Sequence, residues 1–151
     1  MIPLPNPNLQ FAEQPVLILL AQAVIGEAES ATEAQKQGVG SVVRNRVNDY
    51  KGRYGHDWTS VILHSGSFSS FNRNSDRIAT MLNPVKHSTL KVWEACYTVA
   101  YCVLNGNLPD NTDFATHYYT PPLHNFPSGW GNPEAYRFCL DIGDFHFYRE
   151  L

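Results

Sequence analysis

The chain is poor in cysteine, and the three cysteines that it has follow no recognisable pattern. Cys96, Cys102 and Cys139 make an odd number without the paired spacing of a zinc site. Cys96 and Cys102 are six positions apart on a predicted helix, a rise of about 9 Å, which is too far for a disulfide. We therefore expect reduced, buried thiols and no cysteine metal site.

The chain also lacks an excess of positive charge. It has 11 Lys and Arg against 14 Asp and Glu, a net charge of −3. A basic surface is the usual sign of a nucleic-acid partner, so we expect no nucleic acid to bind. The apolar run that begins at residue 16 ends in Gly-Glu-Ala-Glu. It is too polar to cross a bilayer, and we expect no membrane insertion.

Aromatic residues, by contrast, are abundant. The 151 residues include eight Tyr, eight Phe and three Trp, and 43% of the chain is hydrophobic. This composition predicts one folded domain over residues 15–151, preceded by an extended, Pro-rich lead-in over residues 1–14. Aromatic side chains outside helices suit a cleft that stacks on sugar rings, although core packing accounts for at least as many of them.

Glu27 is the most informative residue. Positions 16, 20, 23 and 27 are at helical spacing, so Glu27 continues the face that Val16, Leu20 and Ala23 would bury in an amphipathic helix. A carboxyl group among apolar neighbours favours its neutral form, which suits a general acid. The alternative is a solvated glutamate at a frayed helix end, and this pattern alone does not decide between the two.

The remaining pattern predicts an α+β domain. Helices are expected over residues 15–27, 58–63 and 88–105. A further helix, the second along the chain, is expected to follow a capping box formed by Ser30 and Glu33 and to run to about residue 48. In that second helix, Gly38 and Gly40 suggest a close approach by another backbone. Residues 114–120 and 144–148 predict two strands that pair antiparallel. Asn132 and Pro133 are expected to open a further short helix that reaches about residue 140.

Five ordered segments resemble the SleB-type cell wall hydrolases, the spore cortex-lytic enzyme family. The first spans residues 23–47, with its Gly-Glu-Ala and Asn-Arg-Val steps. The others are GSFSSF at 66–71, DNTDFATHYYTPP at 110–122, PSGW at 127–130 and IGDFHFY at 142–148. One departure is Glu29, where family members often carry Arg, so an ion pair made by that Arg is in doubt.

The resemblance implies a lysozyme- or lytic-transglycosylase-like helical domain with a small antiparallel sheet beside a cleft. It also implies peptidoglycan cleavage at N-acetylmuramic acid. Glu27 would act first as acid and then as base on the C6 hydroxyl, giving 1,6-anhydro-muramic ends. No metal or cofactor is expected, and we expect a monomer whose partner is the glycan strand.

Seven further residues are candidates for substrate binding. Phe68 and Ser69 match the family's Gly-x-Phe-Ser segment, which otherwise forms a simple turn. Thr116 and Tyr118 share one face of a predicted strand, and Tyr119 lies on the other; which face lines the cleft is left open. Trp130, in a glycine-flanked loop, is a candidate for sugar stacking. His146 either faces the site or is a satisfied core group.

Other readings remain open at this stage. A hydrolytic muramidase needs a second carboxylate, for which Asp110 and Asp113 are the clustered candidates, although turn chemistry explains both. A zinc amidase would use some of the six histidines, but none forms an H-x-x-x-H or H-E-x-x-H pattern. The aromatic loops would equally serve a non-catalytic wall-binding module.

The first eight residues contain three prolines and no basic segment, which is unlike a secretory signal. We therefore expect the protein to be made in the cytoplasm and to reach the wall by lysis, by particle delivery or through a helper. A phage-type endolysin fits this expectation.

Overall fold

The computed structural model describes residues 2–151 as a bundle of helices with a small antiparallel sheet on one side. This arrangement confirms the predicted α+β class. The helices are α1 (Val16–Ala28), α2 (Glu33–Val47), α3 (Trp58–Ile62), α4 (Ile78–Leu82), α5 (Pro84–His87) and α6 (Leu90–Leu104). The strands are β1 (His117–Tyr119), β2 (Tyr136–Ile142) and β3 (Phe145–Glu150), in the order β1-β3-β2.

Helix α1 is the centre of the core. Its residues 18–25 are all buried, because α2, α3, α4 and α6 pack around it. The expectation of an amphipathic helix is therefore wrong: α1 is apolar on every side, as a central helix must be. Gln22 lies within this buried stretch and donates to the Met81 carbonyl at 2.9 Å. Glu27 follows in the last turn, where the helix emerges from the core.

Helix α2 begins with a capping box two residues after the predicted one. Thr32 Oγ1 accepts from the Gln35 amide at 3.2 Å, and Gln35 Oε1 accepts from the Thr32 amide at 2.9 Å. The Ser30 and Glu33 prediction is thus wrong by two positions, because residues 29–31 connect the two helices and α2 starts only at Glu33. The Gln35 side chain also donates to the Ile142 carbonyl, which joins α2 to the β2–β3 turn.

The two glycines of α2 admit side chains rather than another backbone. A Cβ at Gly38 would lie 2.6 Å from Phe147 Cζ, and one at Gly40 would lie 2.9 Å from Val103 Cγ2. Phe147 is fully buried on β3, so Gly38 lets the sheet pack directly on α2. The prediction of a close approach is confirmed, but its partner was misjudged.

Helix α6 covers α1 and α2 with a buried face that consists of Trp93, Cys96, Val99, Ala100 and Val103. Leu90 and Tyr101 lie outside this face and are about half exposed, at 50% and 47%. Gly106 follows the helix with a φ of +73° and ends it.

The sheet contains the largest correction to the predicted elements. After Pro133 the chain makes only one 3-10 turn, Pro133–Ala135, and then enters strand β2. The expected helix is absent because β2 pairs antiparallel with β3 along its length, with an irregularity between Phe138 and Leu140. The predicted pairing of the two other strands is confirmed, with Tyr118 opposite Phe147.

The lead-in packs on the helices. The Pro3 carbonyl accepts from Trp93 Nε1 at 2.9 Å, and the Phe11 ring contacts Phe71 edge-on at 4.9 Å. The three cysteines are free; Cys96 is buried, whereas Cys102 and Cys139 are only partly buried, contrary to expectation. Within residues 2–151, no helix is both long and apolar enough to span a membrane.

Candidate active site

Both carboxylate oxygens of Glu27 are held by donors from outside its own helix. Tyr118 on β1 donates its hydroxyl to Oε1 at 2.5 Å, and the Ser70 amide donates to Oε2 at 3.2 Å. Ser70 belongs to a 3-10 turn, Ser69–Phe71. Glu27 is half-buried and lines a cleft. It is therefore neither the frayed nor the freely solvated residue of the alternative reading.

Gly26 makes this arrangement sterically possible. A Cβ at this position would lie 2.5 Å from Met81 Sδ and 2.8 Å from Ser70 Oγ. Without a side chain there, the 3-10 turn sits against the last turn of α1, and the Ser70 amide reaches the carboxylate. This close packing explains why a glycine precedes Glu27 in the sequence.

Tyr118 remains a hydrogen-bond donor over the physiological pH range. Burial, with the neighbouring Glu27 charge and the hydrogen bond to it, raises the pKa of Tyr118 well above its ordinary value. The ring is fixed by stacking on Phe145 at 5.7 Å, on the sheet face that packs on the helices. The phenol is therefore a rigid donor aimed at one oxygen of Glu27.

The cleft beside Glu27 has a volume of about 750 Å³ and is bounded by segments from four parts of the chain. Residues 64–69 form one rim, the loop from residue 120 to Trp130 forms the other, and α2 with the end of β3 closes the floor. Of the predicted site residues, the structure brings six to this cleft: Glu27, Phe68, Ser69, Tyr118, Tyr119 and Trp130.

Thr116 and His146 do not line the cleft. Thr116 is buried, and its carbonyl and hydroxyl accept hydrogen bonds from Arg46 and from the Glu150 amide. His146 pairs with Asp141 at 2.7 Å on the neighbouring strand. The structure therefore does not bring these two to the cleft with the other candidates: Thr116 anchors the sheet, and His146 lies opposite Tyr119 on β3.

An aromatic cluster forms the wall behind the cleft. Trp130 packs on His117 at 5.0 Å and stacks on Tyr136 at 5.3 Å, with Phe126 edge-on at 5.2 Å. Burial, with the charges of Arg46 and Arg53 nearby, lowers the pKa of His117 to about 3. His117 is therefore neutral and serves the wall as an aromatic ring.

Three polar residues line the cleft although the sequence did not single them out for the site. Arg46 of the Asn-Arg-Val step lies on the floor. Its neighbour Asn45 instead ties α2 to the segment before β1, by donating to the Ala115 carbonyl at 2.9 Å. Tyr54 donates to Glu150 Oε1 at 2.5 Å, and both line the cleft. The Asn-Arg-Val step drew attention to Arg46 but gave it no place in the cleft, and Tyr54 and Glu150 belong to no motif that would have identified them.

The two aspartates considered as the second carboxylate of a hydrolase lie outside the cleft. Asp110 accepts from the Thr112 and Phe114 amides, and Asp113 pairs with Arg137 at 3.0 Å; neither lines the cleft. The turn explanation therefore holds for Asp110. Glu150 is the second carboxylate of the main cleft, already held by Tyr54.

Two further depressions, of about 840 and 300 Å³, also meet at Glu27. One is bordered by Asp76 and Arg77, and the other by Glu29 and Asp144. Glu29 forms an ion pair with Arg77, so the departure from the family pattern still ends in an ion pair. Across residues 2–151, no three His, Cys, Asp or Glu side chains come together as a metal site.

Comparison with known proteins identifies the family of this chain. The sequence profile of the Cell Wall Hydrolase family matches residues 30–148, most of the chain, beginning just after Glu27. The chain belongs to the Cell Wall Hydrolase family. A comparison with curated protein sequences found no match.

Two solved structures are similar over nearly the whole chain. One is the catalytic domain of the germination-specific lytic transglycosylase SleB from Bacillus anthracis, at 20% identity and a TM-score of 0.59, covering 95% of this chain and 98% of that one. The other is the catalytic domain of the Bacillus cereus SleB protein, at 21% and 0.58, covering 95% and 94%. This similarity confirms the expected SleB-type fold, and the family match confirms the resemblance.

Proposed function

We propose that this cell wall hydrolase cleaves peptidoglycan glycan strands at N-acetylmuramic acid as a lytic transglycosylase, with Glu27 as its single acid and base. The observation that carries the proposal is the position of Glu27 in the cleft. Its two oxygens are held by Tyr118 and the Ser70 amide, facing an open, aromatic-walled space. The similar SleB domain is described as a lytic transglycosylase.

The first step requires a proton on Glu27. In its neutral form the carboxyl group donates that proton to the glycosidic oxygen as the bond to muramic C1 breaks and positive charge develops on the ring. The leaving sugar departs with its hydroxyl intact. Glu27 is then a carboxylate beside an electron-deficient C1.

The second step restores the enzyme without water. The Glu27 carboxylate accepts the proton of the C6 hydroxyl of the same muramic acid, and O6 bonds to C1. The product is a 1,6-anhydro ring, and Glu27 is again neutral. Because Glu27 gives one proton in the first step and recovers one in the second, the reaction needs no second carboxylate.

The two donors on Glu27 assist this cycle. A hydrogen bond to an ionised carboxylate is stronger than one to its neutral form, so Tyr118 and the Ser70 amide stabilise Glu27 after it has given its proton. Tyr118 lies on a paired strand and Ser70 in a 3-10 turn. These elements keep the carboxyl group of Glu27 oriented while it changes between its neutral and ionised forms.

The cleft walls suit a sugar polymer. Aromatic faces stack on the apolar faces of pyranose rings, and Trp130 with Tyr119 offers such faces along the cleft. The glycan strand is the proposed partner. A monomeric state and action without membrane insertion or nucleic acid belong to the same proposal.

Replacing Glu27 tests the assignment. Glu27→Gln keeps the shape but cannot deliver a proton, so turnover of purified peptidoglycan should fall by more than roughly 10⁴-fold, because one group serves both steps. Glu33→Gln is the matched control: Glu33 is exposed at the start of α2, and its variant should keep full activity. Near-normal activity of Glu27→Gln, with an unchanged melting curve, would refute the assignment.

A hydrolytic muramidase is the second candidate, since Glu150 lines the same cleft. In that mechanism Glu150 would activate water or act as nucleophile. Its oxygen already accepts from Tyr54, and Arg53 lies 3.8 Å away, which favours a structural part. Glu150→Gln should therefore retain measurable turnover; complete loss with an intact fold would favour the hydrolase and replace the Asp110 and Asp113 hypothesis with Glu150.

A further inference from the structure

Arg46 is a buried cation with an unusual arrangement for a purely structural residue. It is only 5% exposed, yet it forms part of the cleft floor. Its Nε donates to the Thr116 carbonyl at 2.6 Å. The guanidinium lies over the rings of Tyr54 at 4.7 Å and Phe68 at 5.0 Å. One hydrogen bond and two aromatic faces therefore fix its plane.

The terminal nitrogens of this guanidinium have no protein acceptor. The bond from Nε to the Thr116 carbonyl is the only hydrogen bond that the group makes within residues 2–151. The acidic groups that face it are Glu27 and Glu150. Each is already held by other donors, Glu27 by Tyr118 and Ser70, and Glu150 by Tyr54.

Such an arrangement indicates recognition rather than support. A buried charge is unfavourable unless its hydrogen-bonding groups are matched, and a guanidinium offers a planar fork of donors suited to two oxygens. Structural anchoring uses only Nε. The terminal donors are pre-positioned and lie in the same cleft as Glu27, where a substrate can supply the missing acceptors.

We propose that Arg46 recognises the 3-O-lactyl group of muramic acid and so selects which sugar lies at Glu27. This inference rests on the proposed function and deepens it. The two sugars of a peptidoglycan strand share hydroxyl and acetamido groups, whereas only muramic acid carries the lactyl ether. Its carboxyl or amide carbonyl oxygens provide the acceptors that the Arg46 fork lacks.

The consequence is a fixed register on an alternating polymer. Cleavage with formation of the anhydro ring requires the muramic C1 and C6 hydroxyl at Glu27, not those of N-acetylglucosamine. A lactyl group held by Arg46 brings the muramic ring to that place and leaves the other sugar without an equivalent contact. Arg46 is thus a specificity-determining residue.

Binding of two matched disaccharides tests this inference without turnover. N-acetylglucosaminyl-N-acetylmuramic acid and di-N-acetylchitobiose differ by the lactyl group, and NMR titration gives both dissociation constants. The wild-type protein should prefer the muramic disaccharide by about 10- to 100-fold, as expected for a charge-assisted hydrogen bond. In Arg46→Gln that preference should fall to less than about threefold, while the affinity for chitobiose stays unchanged.

The control is Arg44→Gln on the same helix. Arg44 donates to the Leu108 carbonyl at 2.8 Å and does not line the cleft, so its variant should keep the wild-type preference. If Arg46→Gln does not fold, a muramic disaccharide whose lactyl carboxyl is reduced to an alcohol tests recognition of the lactyl oxygens on the wild-type protein. It should bind about as weakly as chitobiose.

Two results would overturn the inference: equal affinity of the wild-type protein for both disaccharides, or an undiminished preference in Arg46→Gln. A failure of the proposed chemistry can be distinguished from a failure of this inference. An active Glu27→Gln variant would refute the catalytic assignment, whereas the lactyl preference is measured by binding alone and does not depend on turnover.

Discussion

At the scale of single residues, Glu27 depends on donors that lie far away in the sequence. Tyr118 reaches it from β1 and the Ser70 amide from the 3-10 turn. Neither residue belongs to α1. The carboxyl is therefore correctly oriented only when the sheet and the 66–71 segment are both docked on that helix.

Tyr118→Phe isolates one of these contacts. The substitution removes the hydroxyl that donates to Glu27 Oε1 and keeps the ring that stacks on Phe145. Since a hydrogen bond to a carboxylate contributes about 1.5–3 kcal/mol, we expect kcat to fall roughly 10- to 100-fold, with little change in melting temperature.

Tyr101→Phe is the matched control for that measurement. Tyr101 is 47% exposed on α6, and its variant should retain wild-type kcat. If Tyr118→Phe turned over peptidoglycan at the wild-type rate, the contact with Glu27 would have no part in catalysis.

Some of these residues are recognisable in the sequence and others are not. Glu27 was accessible because a carboxylate ending a long apolar run is conspicuous against its neighbours. Arg46 and Glu150 were not, since each looks like an ordinary polar position in a helix or strand. Their place in the cleft follows from the packing of α2 against the sheet, which no local pattern encodes.

At the scale of secondary-structure elements, the start of α2 links the helices to the sheet. Gln35 completes the capping box with Thr32, and its amide nitrogen donates to the Ile142 carbonyl and to Asp144, both at 3.0 Å. The N-cap thus fixes the helix and the β2–β3 turn together.

Two alanine variants distinguish the observed cap from the expected one. Thr32→Ala removes the acceptor of the Gln35 amide and should lower the free energy of unfolding by about 1 kcal/mol. Ser30→Ala, at the exposed position first expected to cap, should change it by less than roughly 0.5 kcal/mol. Urea denaturation measures both. A larger loss for Ser30→Ala than for Thr32→Ala would contradict the structure.

Long local elements were predictable and short or non-local ones were not. Helices α1, α2 and α6 each carry apolar residues over three or more turns, so their presence was clear from sequence. The short helices α4 and α5 were missed, because each spans little more than one turn. Strand β2 was mistaken for a helix, because the Asn132 and Pro133 signal is local, whereas pairing with β3 is not.

At the scale of the whole molecule, the cleft is an assembly of distant segments. Residues 64–69, the loop that ends at Trp130 and the end of β3 meet only in the folded chain, around a carboxylate supplied by the central helix. The division at residue 15 stays a prediction, as does the route by which the protein reaches the wall.

The products of purified peptidoglycan test the central claim most directly. Digestion in oxygen-18 water, followed by mass spectrometry of the muropeptides, distinguishes an internal attack by the C6 hydroxyl from an attack by water. If Glu27 acts alone, the fragments should end in 1,6-anhydro-muramic acid and carry no label from the solvent. Reducing muramic ends that contain oxygen-18 would contradict the account and identify a hydrolase.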